Sequence, residues 1–533
     1  MKHVKQLLSA LLVLAVVLSL LPAGVLKASA AEAPAALDIG YPTFKNTELL
    51  DEVYDLSKLG VSYSEKDIMM AIYKQDLANG GDSFYMDRIL AREGVCNGNA
   101  GSNGNADGNT FLTRGRALYM YTSSPSVIGF GGNTAYHQPL GRGDLVRVLF
   151  SNADGSLTTK EDTSKRVNAP SNWSSTYSVG SNLTLDVVKF IHQENVAVTT
   201  MTLTNKSAED QAITVAADSI FATEPGKVTV NGAEQTELTG TCSSPAGLTT
   251  IYARMTGDGF EAASSDDYCW LSRDVTVPAG GSVELKVVIA FTTEEIPEST
   301  EQYLRFAGLG NLEAVRAQKA EYNLYWAENL PYIDVPKKAV QKAIDYRWWL
   351  ERFNSLDANI PGYDYQYPVT IEGVLGYNNA IILTQPMHLQ DTKWLRSPYL
   401  AYGQLLSAGN SSQSSAFLDN PGNRNNWNNH YGQYLAEAGY EAFNVIGGGA
   451  ELAENLAYYF GHDATGQLEH YGNHIEGRDL IAYRNNYMTG NDADTISMHA
   501  PGTGTWKAHG ENAYVWAAAD AAAKLYEQLG IHP

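Results

Sequence analysis

The chain is poor in cysteine and in positive charge. Its 533 residues include 37 lysines and arginines against 59 aspartates and glutamates, a formal net charge of −22. So acidic a surface repels phosphate backbones, which excludes nucleic acid as an expected partner. The three cysteines are too few for a disulfide framework. Cys242 and Cys269 lie in one strand-rich region and could form a disulfide, in which case Cys96 stays a free thiol. Three free thiols are an equally good alternative.

Long apolar runs are confined to the start of the chain. The basic stretch MKHVK is followed by LLSALLVLAVVLSLLPAGVL and then by the small residues KASAAEA. This order is typical of a secretory signal peptide, residues 1–30, cleaved after Ala30 or Ala31. An uncleaved anchor is the alternative, but Pro22 and Gly24 break the run, and no second stretch is long enough to cross a bilayer. The sequence therefore predicts a secreted protein that leaves the membrane after cleavage.

The rest of the chain has two halves with different hydrophobic periods. From residue 38 to 295, apolar and β-branched stretches are separated by turn sequences such as NADGS, EPGK and PAGG, which predicts a large β-sandwich. Residues 299–332 read as a helical linker, and aromatic or aliphatic residues recur at helical spacing through 333–533. The loop 96–110 holds one acidic residue, a poor calcium loop, and no metal or cofactor is predicted.

Seven of the nine tryptophans lie in the helical half. Aromatic faces stack on the CH surfaces of sugars while polar neighbours bond the hydroxyls. Trp394, Trp427 and Trp506 sit at or near loops, so they are predicted to face a ligand, with burial in the helical domain as the alternative. Trp348 and Trp349 lie inside a regular helix and are predicted to pack in the core.

Three short motifs carry a resemblance to a known group of enzymes. They are QPMHLQDTKWLRSP at 385–398, NNWNNHYGQYLAEAGYEAF at 425–443, and TGNDAD at 489–494 followed by the helix-like ENAYVWAAADAAAKLYEQLG. With the order of domains, they resemble the inverting (α/α)6-toroid glycoside hydrolases related to trehalase, processing α-glucosidase and mannosylglycerate hydrolase. The resemblance implies a β-sandwich, a helical linker and a C-terminal (α/α) toroid. It also implies a carbohydrate substrate and cleavage of a neutral glycan with inversion.

The resemblance also assigns roles to residues. Asp492 takes the place of the general acid, and Asp494 competes with it for that role. Asp391 would hold sugar hydroxyls. The other residues predicted to bind substrate are His388, Gln390, Trp394, Arg396, Trp427, His430, Tyr431, Trp506 and Glu511. A catalytic acid must stay protonated near neutral pH, and the charge of Asp494 could raise the pKa of its neighbour.

One departure from the resemblance concerns the second carboxylate. An inverting enzyme needs a base that activates water, and the family places it late in the toroid. Such a toroid has about twelve helices, whereas residues 333–533 offer about six. The sequence therefore predicts an incomplete toroid, either because the chain is a piece of a longer protein or because another chain completes it.

Two other classes of function remain open. A polysaccharide lyase combines the same domain types, and NNHYGQY contains residues that could abstract a proton. Lyases of that kind usually place the toroid first, however, and a uronate favours a basic cleft. The other class is a non-catalytic carbohydrate-binding protein, which the missing base favours. The sequence predicts neither the sugar, the linkage nor the oligomeric state.

Overall fold

The fold is that of a computed structural model. The residues that it describes are 33–40, 113–124, 127–136, 138–142, 144–243, 247–331, 335–360, 366–371, 380–413, 415–419, 430–472, 481–483, 507–508 and 512–531. The chain divides into two compact units, residues 1–38 and residues 39–533. The predicted signal peptide lies outside the described residues, and the architecture below belongs to the second unit.

The described residues from 118 to 292 are built mainly of antiparallel strands. In chain order they are β1 Leu118–Ser124, β2 Gly129–Tyr136, β3 Gln138–Arg142, β4 Val146–Asn152, β5 Gly155–Ser156, β6 Thr159–Asn168, β7 Trp173–Val179, β8 Leu183–His192, β9 Val196–Asn205, β10 Gln211–Asp218, β11 Glu224–Val230, β12 Ala233–Ser243, β13 Thr250–Gly257, β14 Glu261–Ser265, β15 Tyr268–Val277 and β16 Ser282–Thr292.

These strands form two sheets that pack face to face. One sheet has the order β1-β2-β4-β10-β15-β14, with β3 beside β2 and β5 beside β4; the other has the order β11-β12-β13-β16-β9-β8-β7-β6. Alternating side chains fill the space between them, as in β7, where Trp173, Tyr177 and Val179 are buried and Ser178 is exposed. Phe291 from β16 joins the same core.

The turn between β8 and β9 fixes the segment that precedes β1. His192 pairs with Val196 at the end of the hairpin, and Asn195 adopts φ 61°, a conformation that asparagine tolerates. The Oδ1 of Asn195 accepts hydrogen bonds from the backbone N–H groups of Ala117 and Leu118, at 2.8 and 2.9 Å. The start of β1 is thereby held beside this turn.

Helices dominate the described residues that follow. They are α1 Pro297–Gly308, α2 Asn311–Asn329, α3 Lys338–Asn354, α4 Gln385–Thr392, α5 Tyr399–Ser412, α6 Leu435–Ile446, α7 Ala450–Tyr471 and α8 Asn512–Gln528. The described strands after residue 335 have two residues each: β17 Ser355–Leu356 with β18 Val369–Thr370, and β19 Ala482–Tyr483 with β20 Lys507–Ala508.

Helices α1 and α2 cover the outer face of the second sheet. Tyr303 and Phe306 of α1 are fully buried and share a cluster with Phe190 and Val288 of the sheet. The rings of Phe190 and Phe306 meet edge to face with centroids 5.5 Å apart. Burying these aromatic faces stabilises the packing of α1 against the sandwich.

Helix α5 is buried along nearly its whole length, which is the pattern of a helix packed on all sides. Two glycines allow the close approach. A Cβ at Gly403 would lie 2.4 Å from Pro368 Cγ, and one at Gly409 would lie 2.3 Å from the ring of Tyr459 on α7. Any larger side chain at either position would force the neighbouring element away.

The predicted order of a β-sandwich followed by helices is confirmed; whether the helices form a toroid, and how complete it is, stays a prediction. Trp348 and Trp349 are 4% and 1% exposed, which confirms that they pack in the core. Cys242 and Cys269 are free thiols and do not form a disulfide. Within the described ranges, no helix is both long and apolar enough to span a membrane.

Candidate functional site

Two polar contacts join α4 to α3. The guanidinium of Arg347 donates to both oxygens of Asp391, from Nε at 2.9 Å and from Nη2 at 2.6 Å. The Nδ1 of His388 lies 2.8 Å from Oε1 of Glu351. Arg347 and Glu351 lie four residues apart on α3, and their partners on α4 lie three residues apart. Each spacing places both side chains on the same face of its helix. Asp391 and His388 are therefore positioned by α3.

A second polar group lies between α4 and α6. Gln390 Nε2 and Lys393 Nζ both donate to Oε2 of Glu441, each at 3.0 Å, and Lys393 also donates to Gln390 Oε1 at 2.5 Å. The hydrogen bonds from Gln390 and Lys393 hold the pKa of Glu441 below its usual range. Gln390 is therefore ordered by α6, on a different side of α4 from Asp391.

The tryptophan that follows α4 is open to solvent. Trp394 is 53% exposed, and the ammonium of Lys393 lies 5.5 Å from the centroid of its ring. Arg396 is also exposed, and its backbone N–H donates to the carbonyl of Asn329 at 2.8 Å, which ties this loop to α2. An indole face beside ordered hydrogen-bonding groups is suited to a polyhydroxylated ring.

Glu351 was not predicted from the sequence. Its side chain is 5% exposed, and its Oε2 has no hydrogen-bond partner in the part of the chain that the structure describes. The available signal was its spacing of four from Arg347 on one helix, a pattern that surface helices share. The identity of its partner, His388, depends on tertiary packing.

His430 and Tyr431 are placed against different elements from α4. His430 Nδ1 lies 3.1 Å from the carbonyl oxygen of Phe417, and its ring stacks on His470 of α7 at 4.6 Å. Burial lowers the pKa of His430. Tyr431 is only 5% exposed, so little of its surface is accessible to a ligand.

A buried carboxyl group lies beside this pair. Asp463 of α7 is 2% exposed and accepts hydrogen bonds from the Phe417 N–H at 2.8 Å and from Gln433 Nε2 at 3.0 Å. Burial raises its pKa to about 6 despite these bonds, because removing a carboxylate from water disfavours its charged form. Phe417 thus touches both His430 and Asp463.

Five predicted site residues lie outside the described residues: Trp427, Asp492, Asp494, Trp506 and Glu511. The ends of the segment that carries three of them are described. Tyr483 of β19 pairs with Lys507 of β20, and the side chain of Asn512 exchanges two hydrogen bonds with the backbone of Ile481, at 2.8 and 3.1 Å. The chain therefore leaves this ladder after Tyr483 and returns to it at Lys507.

No group of three or more His, Cys, Asp or Glu side chains among the described residues is arranged so that it could hold a metal ion. Among the described residues, the arrangement is one of hydrogen-bonding and aromatic side chains.

No family model matches the chain. Similar solved structures include a protein provisionally described as a kojibiose phosphorylase from human microbiome, with a TM-score of 0.44, 9% identity and coverage of 76% of this chain and 63% of that one. An inverting mannosidase of family GH92 from Bacteroides thetaiotaomicron VPI-5482 matches with a TM-score of 0.40, 11% identity, and 78% and 60% coverage. A GH92 family glycosyl hydrolase, ccman5, matches with a TM-score of 0.37, 12% identity, and 79% and 58% coverage. The chain spans about three fifths of their lengths, and at these scores the likenesses identify neither a family nor an activity.

Proposed function

We propose that the protein is a secreted glycoside hydrolase that cleaves a neutral glycan with inversion. The observation that carries the proposal is the exposed ring of Trp394 beside the ordered polar groups of α4. A sugar ring has an apolar CH face and a rim of hydroxyls, and Trp394 and Asp391 match these two features. The motif resemblance and the order of sandwich and helices support the same class of enzyme.

The proposed reaction uses two carboxyl groups. Asp492 gives its proton to the glycosidic oxygen as the bond from that oxygen to the anomeric carbon breaks. A second carboxylate takes a proton from water, and the hydroxide equivalent attacks the anomeric carbon from the opposite face. Inverting enzymes hold the two groups about 6.5–9.5 Å apart to leave room for this water. The paired ends at β19 and β20 support this role, because they hold both ends of the segment that carries Asp492.

Trp394 provides a matched test of the sugar platform. Replacing Trp394 with Ala should lower kcat/KM on the neutral glycan that the protein cleaves by roughly 10-fold, because stacking on the ring is lost. Trp516→Ala is the control, since Trp516 is 50% exposed on α8 and is not assigned to the site. Equal losses in the two variants would remove the basis of the proposal.

The stereochemistry of the product separates the competing classes. Proton NMR of the first product should show the anomer opposite to that of the substrate. Retention of configuration would contradict inversion, and an unsaturated product absorbing in the ultraviolet would identify a lyase. Binding without turnover would leave a carbohydrate-binding protein.

A further inference from the structure

A cavity of about 660 Å³ lies between the sandwich and the helices. Its wall combines the segments 113–116 and 191–194 of the sandwich with residues of α1, α2 and α3 and with Ser397, Tyr399 and Leu400. The volume falls within the range of about 300–1,000 Å³ that small-ligand pockets occupy. Neither the motif resemblance nor the proposed hydrolysis assigns a role to it.

The formal charges in the wall balance. Four arginines face four carboxylates: Arg114, Arg116, Arg305 and Arg352 with Glu194, Glu298, Glu321 and Asp357. Several of these groups are paired directly, so a charged ligand would compete with contacts that already exist. A cavity with this balance favours a neutral ligand.

Two ion-paired clusters account for most of this charge. Arg116 reaches Asp357 at 2.5 Å and Glu194 at 3.5 Å. Glu321 contacts Arg305 at 2.5 Å and His192 Nε2 at 2.7 Å. Burial alone would raise the pKa of Glu321, but His192 and Arg305 outweigh it and lower that pKa to about 2. Glu321 therefore stays ionised and paired.

One buried oxygen in the wall lacks a donor. Asp357 is 3% exposed, and its Oδ2 accepts from Arg116 Nη2 at 2.5 Å and from Tyr399 Oη at 2.8 Å. Both bonds fall on the same oxygen, so Oδ1 has no hydrogen-bond partner among the described residues. Oδ1 is fully enclosed, so an occupant of the cavity would meet Arg116 and Tyr399, which line the cavity and hold Oδ2.

The cavity also adjoins the loop that presents Trp394. Asn329 lines the cavity, and its side-chain Oδ1 accepts from the Ser397 N–H at 2.8 Å while its carbonyl accepts from the Arg396 N–H. Ser397 thus belongs both to the wall and to the loop that follows Trp394, and Asn329 at the end of α2 joins the wall to that loop. A glycan held at Trp394 and a second sugar unit in the cavity would lie on adjoining surfaces.

We propose that this cavity is a separate binding site for a neutral, hydroxyl-rich ligand of one or two sugar rings, whose hydroxyls meet the hydrogen-bonded cluster of Arg116, Asp357 and Tyr399 in the wall. The occupant is either a free oligosaccharide or an outlying unit of a longer glycan, which present the same chemistry. Binding there requires neither hydrolysis nor Asp492, so the site goes beyond the proposed enzyme activity.

Residues of α1 allow the cavity to be filled from one side. The side chain of Gln302 accepts a hydrogen bond from Arg305 Nη1 at 2.8 Å, so Glu298→Trp is the variant that leaves this contact in place. Gln302 is half-buried and Glu298 is exposed, and both line the cavity; Glu301, on the same helix, is exposed and does not. Gln302→Trp should fill part of the opening, and Glu298→Trp should do so independently. Glu301→Trp is the matched control, because it adds the same bulk outside the cavity.

The test is calorimetric titration of the whole protein with maltose, mannobiose and sucrose as probes, with thermal melts to verify folding. At least one probe should bind to the wild type, to Glu301→Trp and to Trp394→Ala, and its affinity should fall at least about 10-fold in the two filling variants, the equivalent of 1.4 kcal/mol. Retained binding in Trp394→Ala separates this site from the proposed catalytic one.

Three results would overturn the inference: no neutral probe binds, binding is unchanged in both filling variants, or inorganic phosphate binds in place of the sugars. Titration with a longer oligosaccharide of the bound sugar then distinguishes a free oligosaccharide from an outlying unit of a longer glycan. Tighter binding than that of the disaccharide indicates an outlying glycan unit, and equal binding indicates a free oligosaccharide.

Discussion

At the scale of single residues, Asp463 shows how burial sets chemistry in this protein. The carboxyl group is almost fully enclosed, and two donors do not replace the water that it has lost. Its pKa of about 6 lies above the ordinary value of 3.8. The folded state therefore binds a proton that the unfolded state has released in the same pH range.

This shift predicts a pH dependence of stability. Because the folded pKa is raised, the contribution of Asp463 is fully present below about pH 4 and is lost as the pH rises through about 6. The loss amounts to no more than about 3 kcal/mol, at 1.36 kcal/mol per pH unit. In Asp463→Asn, the free energy of unfolding, measured by urea denaturation across this window, should fall less steeply with pH than in the wild type. Identical pH slopes would contradict the buried-acid assignment.

At the scale of elements, the linker helices depend on a few aromatic anchors. Phe306 is fully buried between α1 and the sheet. Phe306→Ala should lower the free energy of unfolding by about 3–5 kcal/mol, because it removes apolar burial and leaves a cavity. The measurement is chemical denaturation followed by circular dichroism.

Leu312→Ala provides the comparison for this prediction. Leu312 is on the neighbouring helix α2 and is 60% exposed, so its loss should change stability by no more than about 0.5 kcal/mol. If the two variants were equally stable, α1 would not be anchored through Phe306.

The strands and helices were more predictable than the contacts of the site. Period-2 segments such as β7 and period-3.6 segments such as α6 bury one face, and burial leaves that trace in the sequence. The pairing of His388 with Glu351 and of Asp391 with Arg347 spans 37 and 44 residues. Such pairs follow from helix packing, which local patterns do not encode.

The cavity was even harder to predict from the sequence, for the same reason. Arg116, Glu194 and Asp357 lie in three distant parts of the chain, and each resembles an ordinary charged surface residue in its own segment. Their burial becomes visible only when the sandwich and the helices are brought together. The exposure of Trp394 was predictable because a tryptophan in a polar loop has no local apolar stripe to join, and its contact with a ligand stays a prediction.

At the scale of the whole molecule, the sandwich and the helices each contribute walls to the cavity, and the loop after α4 reaches it through Ser397, which bonds Asn329 of α2. The proposed enzyme would thus bind glycan along a surface to which both halves of the chain contribute. The acid would come from the segment between β19 and β20, whose ends are paired.

The most direct test of Asp492 as the general acid is the turnover of the Asp492→Asn variant on two substrates. With an ordinary glycoside, we expect turnover to fall roughly 10²–10⁴-fold, the usual contribution of general acid catalysis. With a glycoside that has an activated leaving group, the loss should be much smaller, because departure needs little protonation. Asp494→Asn, the control, should lose less on the ordinary glycoside. Cleavage of the ordinary glycoside by Asp492→Asn at the native rate would contradict the account, and Asp494 would then be the next acid to test.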